Sequence, residues 1–211
     1  MKLILLGPQG AGKGTQAQRL AEKTGAKHIS TGDIVRAEIK ADSELGRKVQ
    51  EYNDRGDLVP DSVIVEMAKP HLSGADSWLL DGFPRNEAQA EALDEALTEL
   101  GIEIDKAIAL EAEDDELVHR LSGRRTSDAT GKVYHAEHDP PPENDSDDPG
   151  PFVQRKDDTE EAIRNRLEIY HEQTEPLKHY YEERNLLVTV DATQEIDTVT
   201  QNILDAVGES P

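Results

Sequence analysis

The chain contains no cysteine, so neither disulfide bonds nor thiolate metal sites are available to it. It also lacks long apolar runs. None approaches the roughly 18 residues that a membrane span needs, and the apolar stretch near the start is too short for a secretory signal. We therefore expect a soluble, cytoplasmic protein.

Basic residues are scarce: 23 lysines and arginines face 45 aspartates and glutamates, for a formal net charge of −22. A surface this acidic argues against nucleic acid or a membrane as a partner. The acids are spread along the chain, which favours adaptation to a salt-rich cytoplasm, and thus a halophilic source, over a disordered acidic tail. At 1 M salt the Debye length falls to roughly 3 Å, which screens self-repulsion.

The start of the chain has the pattern of a phosphate-binding loop. The apolar run Leu3–Leu6 predicts a buried strand, Gly7–Gly14 a glycine-rich turn, and Thr15–Lys23 a helix. In such a loop, backbone N–H groups and the helix N-terminus face the phosphates, and Lys13 reaches the outer ones. Gly14 stands where a hydroxyl residue is usual, so we expect Mg²⁺ to be held mainly through water and phosphate oxygens. The pattern indicates a nucleoside triphosphate site.

Further apolar runs alternate with helical stretches and predict a parallel sheet of five strands flanked by helices, an α/β fold of the P-loop type. The runs after the first are Lys27–Ile29, Trp78–Leu80, Ala107–Leu110 and Leu186–Val190. Ligands of such sheets bind at the carboxyl ends of the strands. Polar motifs follow three of the strands there, which predicts one shared cleft. They are Gly7–Thr15, Ser30–Asp33 and Asp81–Arg85.

Two insertions interrupt the alternation and divide one domain, 1–211, into three parts. Residues 30–59 are polar and helical, with Gly46 and Gly56 as expected breaks, and predict a small helical insertion. Residues 124–155 are irregular, acidic and bracketed by basic residues, which is typical of a lid over phosphates. The remaining core is 1–29, 60–123 and 156–211.

Arginines stand beside the loops expected at the cleft. Phosphoryl transfer between nucleotides brings many negative charges together, and the rigid guanidinium grips phosphate oxygens without deprotonating. The candidates are Arg36, Arg85, Arg120, Arg124, Arg155 and Arg166.

These motifs, with Gly123–Arg125 and Arg155–Asp158, resemble the adenylate kinases of the long-lid type along essentially the whole chain. The resemblance implies a monomeric enzyme that transfers a phosphoryl group from ATP to AMP, reversibly and with Mg²⁺, to give two ADP.

The resemblance also implies roles for individual residues. ATP would be bound by Gly10, Ala11, Gly12, Lys13, Gly14, Thr15, Arg120, Arg124, Val133, Tyr134 and Gln194. AMP would be bound by Thr31, Arg36, Asp57, Leu58, Val59, Gly82, Phe83, Pro84, Arg85, Gln89, Arg155 and Arg166. Catalysis would fall to Lys13 and the arginines Arg85, Arg120, Arg124, Arg155 and Arg166, with Asp157 and Asp158 positioning arginines. Asp81 would orient water on Mg²⁺.

Many long-lid relatives hold zinc in the lid through cysteines. Here the matching positions are Ser127, Thr130, Asp147 and a residue near Gly150. Because hydroxyl side chains and glycine are not zinc ligands, we expect no structural zinc. A hydrogen-bonded framework of those side chains with Tyr134 and His135 is expected instead. His135 and His138 alone lack the partners of a metal site.

Two alternatives stay open. A UMP or CMP kinase shares most of this framework, although Gln89 has an amide suited to an adenine edge, and short-lid pyrimidine relatives lack so large a flap. A nucleotide-binding regulator without turnover is the other alternative, but it would not need Lys13 and six arginines around two phosphate chains.

Overall fold

The computed structural model describes residues 1–55, 59–143, 146–155 and 158–208. Its centre is a parallel sheet of five strands: β1 (Lys2–Leu6), β2 (Lys27–Ser30), β3 (Trp78–Asp81), β4 (Lys106–Glu111) and, last along the chain, β8 (Leu187–Asp191). The strand order is β2-β3-β1-β4-β8. All four pairings are parallel, which confirms the predicted sheet.

Helices cover both faces of this sheet. The helices in the described residues are α1 (Lys13–Thr24), α2 (Thr31–Lys40), α3 (Glu44–Arg55), α4 (Asp61–Ser73), α5 (Glu87–Leu100), α6 (Asp114–Gly123), α7 (Glu160–Ile169), α8 (Leu177–Glu182) and α9 (Ile196–Ala206), with a π-helical turn at Tyr170–Thr174. Among them, α2 and α3 pack mainly on each other and on α4. Across the described residues, none of these helices combines the length and apolar character that crossing a membrane requires.

The side chains of β1 alternate between two buried clusters, one on each face of the sheet. Leu3 and Leu5 pack beneath α1 and α9, whereas Ile4 and Leu6 pack on the face that α4 and α5 cover. Successive side chains of a strand point to opposite faces. Burial on both faces therefore explains why the strands of this sheet appear in the sequence as continuous apolar runs.

Residues of the predicted lid form a second, smaller sheet. Its strands are β5 (Arg124–Ser127), β6 (Val133–His135) and β7 (Phe152–Val153), antiparallel in the order β6-β5-β7. Strands of two to four residues are too short to show an alternating pattern, so the sequence indicated mainly an irregular segment here.

The expected helix break at Gly46 is wrong. Gly46 lies inside α3, and a Cβ added there would meet the backbone oxygen of Glu38 at 2.1 Å. Glycine is needed at position 46 because α2 and α3 approach each other closely. The break between the two helices comes before Gly46, at 41–43. Gly56, the other expected break, lies outside the described residues.

Candidate active site

The phosphate-binding loop joins β1 to α1 at the carboxyl edge of the sheet. Gly12 precedes α1 with φ 89°, a left-handed conformation that glycine adopts readily. A Cβ added at Gly7 would lie 2.6 Å from the backbone oxygen of Leu110 on β4. Loop and sheet therefore pack too closely for any larger residue at Gly7, and this contact holds the loop against the end of β4.

Lys13 is the first residue of α1, and its side chain turns back into the loop. Its Nζ donates to two loop carbonyl oxygens, at 2.8 and 2.9 Å. Burial lowers the pKa of Lys13; Asp81 opposes this shift, while the positive charges of Arg85 and Arg124 add to it. One lysine, two arginines and one carboxylate from three segments of the chain thus share one electrostatic environment.

Asp81 ends β3 beside the start of α1. A Cβ added at Gly14 would lie 3.7 Å from Asp81 Oδ2, and His28 Nε2 lies 3.6 Å from the same oxygen. The hydroxyl of Thr31 donates to the backbone oxygen of Asp81 at 3.3 Å. Because β2 and β3 are neighbours, the two polar motifs that follow them meet as predicted.

Most of the candidate monophosphate residues that the structure describes follow the ends of β2 and β3 along the chain. Arg36 pairs with Asp33 in the first turn of α2. Arg85 is exposed, and its Nε donates to the backbone oxygen of Gly82 at 2.8 Å. Phe83 and Pro84 are buried and joined by a cis peptide bond, and Val59 packs in a small apolar cluster with Val49, Val63 and Met67.

The carboxamide of Gln89 lies between α4 and the Arg85 loop. Its Oε1 accepts from the backbone N–H of Arg85 at 2.8 Å, and its Nε2 donates to Asp61 Oδ1 at 2.7 Å. Sequence reasoning selected Gln89 but missed Asp61, which precedes it by 28 residues on another helix.

A buried carboxylate joins two of the candidate arginines. The side chain of Asp158 is 0 % exposed; it accepts from Arg124 Nε at 2.9 Å and Nη2 at 2.6 Å, and from Arg166 Nη2 at 3.4 Å. Arg155 Nε donates to the Thr126 hydroxyl of β5 at 3.2 Å. The carboxylate links the start of the lid sheet to α7.

Arg120 and Gln194 meet near the end of β8. Arg120 pairs with Glu116 at 2.7 Å on α6, and its Nη1 donates to the backbone oxygen of Ala192 at 3.0 Å. Two residues further along, Gln194 Oε1 accepts from Asn202 Nδ2 at 3.0 Å. The structure therefore brings these two predicted residues to the same edge of the sheet as the loop.

The buried carboxylate of the lid framework is Asp148, a residue that the predicted framework of Ser127, Thr130, Tyr134, His135 and Asp147 did not include. Asp148 is 4 % exposed; it accepts hydrogen bonds from the hydroxyls of Ser127 and Tyr134, the latter at 2.7 Å. Burial alone would raise the pKa of Asp148, but the hydrogen bonds from Ser127, Tyr134 and Thr130 outweigh it and hold the pKa below its usual range. Val133, next to Tyr134, is 45 % exposed.

Three of the predicted site residues, Asp57, Leu58 and Asp157, lie outside the described residues.

Comparison with known proteins agrees with this geometry. A family model described as adenylate kinase matches residues 5–186. The chain is 47% identical to the adenylate kinase of Caldicellulosiruptor bescii over 99% of both chains. It is 48% identical to that of Salinibacter ruber and 47% to that of Streptomyces coelicolor, each over 98% of both chains.

The chain belongs to the adenylate kinase family. The resemblance inferred from the phosphate-binding loop, the Asp81–Arg85 motif and the basic ends of the lid is thereby confirmed at the level of the family.

Three histidines lie together at the junction of α6 and the lid. His119 joins His135 and His138, and one ring nitrogen of each lies within 4.8 Å of the others. The Nδ1 of His135 accepts from the backbone N–H groups of Glu137 and His138, both at 3.2 Å. This acceptor role leaves the proton of the neutral ring on Nε2, and among the described residues that buried nitrogen has no hydrogen-bond partner.

Four residues around this site were not predicted from the sequence. They are His28, Asp61, His119 and Asp148. No local pattern marks them, because each acquires its partners from a different strand or helix.

Proposed function

We propose that the protein transfers the γ-phosphoryl group of ATP to AMP, reversibly, and forms two molecules of ADP. The observation that carries this proposal is the convergence of Lys13, Arg85 and Arg124, close enough for both arginines to lower the pKa of the lysine. Cations that repel one another in the free protein are stabilised by the anionic charge of two phosphate chains. Phosphoryl transfer depends on such positioning and charge stabilisation.

ATP binds to the phosphate loop in this proposal, with its adenine near the end of β8. The backbone of 10–15 holds the phosphates, Lys13 contacts the outer ones, and Arg120 and Arg124 approach from α6 and β5. The position of Arg120 beside Ala192 supports a binding site for the base between Arg120, the backbone of Gln194 and the lid residues Val133 and Tyr134.

AMP binds on the other side of Asp81. Arg36, Arg85, Arg155 and Arg166 hold its phosphate, and Gln89 contacts the adenine. The remaining contacts in this proposal come from Thr31, Asp57, Leu58, Val59, Gly82, Phe83 and Pro84. The two phosphate chains then meet above Lys13.

We propose Mg²⁺ as the cofactor, held through water by Asp81 and through the phosphates. Mg²⁺ prefers oxygen ligands and keeps several of its waters, and the Asp81 carboxylate beside the first turn of α1 fits that preference. When bound, the ion neutralises charge that develops on the phosphates. We propose no structural zinc, since Ser127 and Asp148 are hydrogen-bonded to each other.

The proposed reaction requires the two insertions, 30–59 and 124–155, to close over the core with the nucleotides between them. Asp157 and Asp158 then position the arginines that cross the closed cleft, as the pairing of Asp158 with Arg124 and Arg166 suggests. We also propose that this long-lid enzyme acts as a monomer in the cytoplasm of a halophile, because the net charge of −22 suits high salt.

The test is ADP formation from Mg-ATP with AMP, UMP or CMP as acceptor. The proposal expects rapid turnover with AMP and at least tenfold lower kcat/KM with the pyrimidine nucleotides. Preference for UMP or CMP would assign the other kinase activity. Nucleotide binding without turnover on any acceptor would assign a regulator.

A further inference from the structure

We propose that Asp61 sets the base specificity of the monophosphate site by holding the carboxamide of Gln89 in one orientation. This inference rests on the proposed function in one respect, namely that Gln89 contacts the base.

The orientation of the carboxamide follows from the chemistry of its two neighbours. The backbone N–H of Arg85 can only donate, so the atom 2.8 Å from it is Oε1 of Gln89. An ionised carboxylate can only accept, so the atom 2.7 Å from Asp61 Oδ1 is Nε2. Both hydrogen bonds are lost if the carboxamide turns by 180°.

Asp61 and Gln89 both belong to well-anchored parts of the fold. Helices α4 and α5 pack together through buried apolar residues, among them Val65, Ala68, Leu72, Ala90 and Leu93. Asp61 is the first residue of α4, where the helix dipole favours a negative charge. Asn86 caps α5 by accepting from the backbone N–H of Gln89 at 2.9 Å, so the backbone of Gln89 is held as well.

The held carboxamide still has one N–H and one oxygen lone pair to offer. Adenine presents a complementary edge, with N1 as an acceptor and the N6 amino group as a donor. Hypoxanthine has the same size but presents the reverse, an N1–H donor and an O6 acceptor. To pair with it, Gln89 would have to turn, which sets Oε1 against the carboxylate of Asp61 and Nε2 against the N–H of Arg85.

Asp61 therefore penalises the wrong base without touching either base, which makes it a positioning residue. Discrimination of this kind comes from leaving buried polar groups unpaired in the wrong complex. An amide in place of the carboxylate removes the part of the penalty that Asp61 imposes, because it can turn to donate or to accept, while the backbone N–H of Arg85 still opposes the turned carboxamide.

The experiment compares kcat/KM for AMP and for IMP in the full-length wild type and in Asp61→Asn. We expect the AMP-to-IMP ratio to fall about tenfold, equivalent to about 1.4 kcal/mol, with most of the change in KM. Glu66→Gln makes the same chemical change at an exposed position of the same helix and should leave the ratio unchanged. Asp61→Glu keeps an acceptor-only carboxylate and should keep the preference for AMP even if stability changes.

A double-mutant cycle tests whether Asp61 acts through Gln89. Once Gln89→Leu has removed the carboxamide, adding Asp61→Asn should not change the AMP-to-IMP ratio further. An unchanged ratio in Asp61→Asn alone, or an equal change in the Gln89→Leu background, would overturn the inference. Failure of the wild type to phosphorylate AMP would instead refute the proposed function, so the two failures are distinguishable.

Discussion

The buried carboxylate of Asp158 offers a strong test of how the arginines of the site are held. Its side chain is 0 % exposed and pairs with Arg124 and Arg166, whose side chains are 17% and 19% exposed. In Asp158→Asn, one neutral amide faces two largely buried guanidinium groups. We expect the variant to be less stable, and we expect Arg124 and Arg166 to move from their positions.

The expected loss of unfolding free energy follows from the burial of the Asp158 carboxylate. Removing one partner of a buried ion pair costs about 3–5 kcal/mol. Arg124 and Arg166 retain some solvent contact and the new amide still accepts a hydrogen bond, so we expect about 2–3 kcal/mol of unfolding free energy. At about 2–4 °C per kcal/mol for a chain of this length, Tm should fall by about 4–12 °C. Misplaced arginines should lower kcat roughly 10- to 100-fold.

Thermal unfolding followed by circular dichroism and a coupled assay of ADP formation measure the two effects. The matched control is Asp115→Asn, because Asp115 pairs with Arg164 on the same α7 helix but is 91% exposed. An exposed pair contributes at most about 1 kcal/mol, so this variant should stay within a few degrees of the wild type. If Asp158→Asn has the Tm and turnover of Asp115→Asn, the buried carboxylate does not hold the arginines.

Three further predictions concern the charges of the site, the surface and the lid. Lys13→Met and Arg85→Ala should each lower kcat by roughly 10² or more with little change in Tm, since both side chains meet charge that develops in transfer; near-normal turnover would refute that role. Turnover and Tm should both rise between 0.05 and 3 M KCl, because salt screens the net charge of −22, and a maximum at the lowest salt would contradict this. Because the pKa of Asp148 is lowered from 3.8, its contribution to stability is present above about pH 4 and is lost as pH falls through the lowered value. The Tm of Asp148→Asn should therefore fall less steeply on acidification than that of the wild type.

The sequence alone determined the central sheet and the phosphate-binding loop. Leu3–Leu6 is a continuous apolar run because both faces of β1 are buried, and the glycines and Lys13 follow it within a few residues. Such signals are local, so they can be found without knowing the fold. The Asp81–Arg85 motif was found in the same way, directly after β3.

Only the tertiary structure decided which partners surround those residues. Asp61 meets Gln89 through the packing of α4 on α5, and Asp158 meets Arg124 across 34 residues. In the lid, Asp148 rather than its neighbour Asp147 is buried against Ser127. Asp147 and Asp148 are neighbouring residues of the same type, so the sequence does not distinguish them. Only the packing of distant segments decides which of the two is buried and hydrogen-bonded.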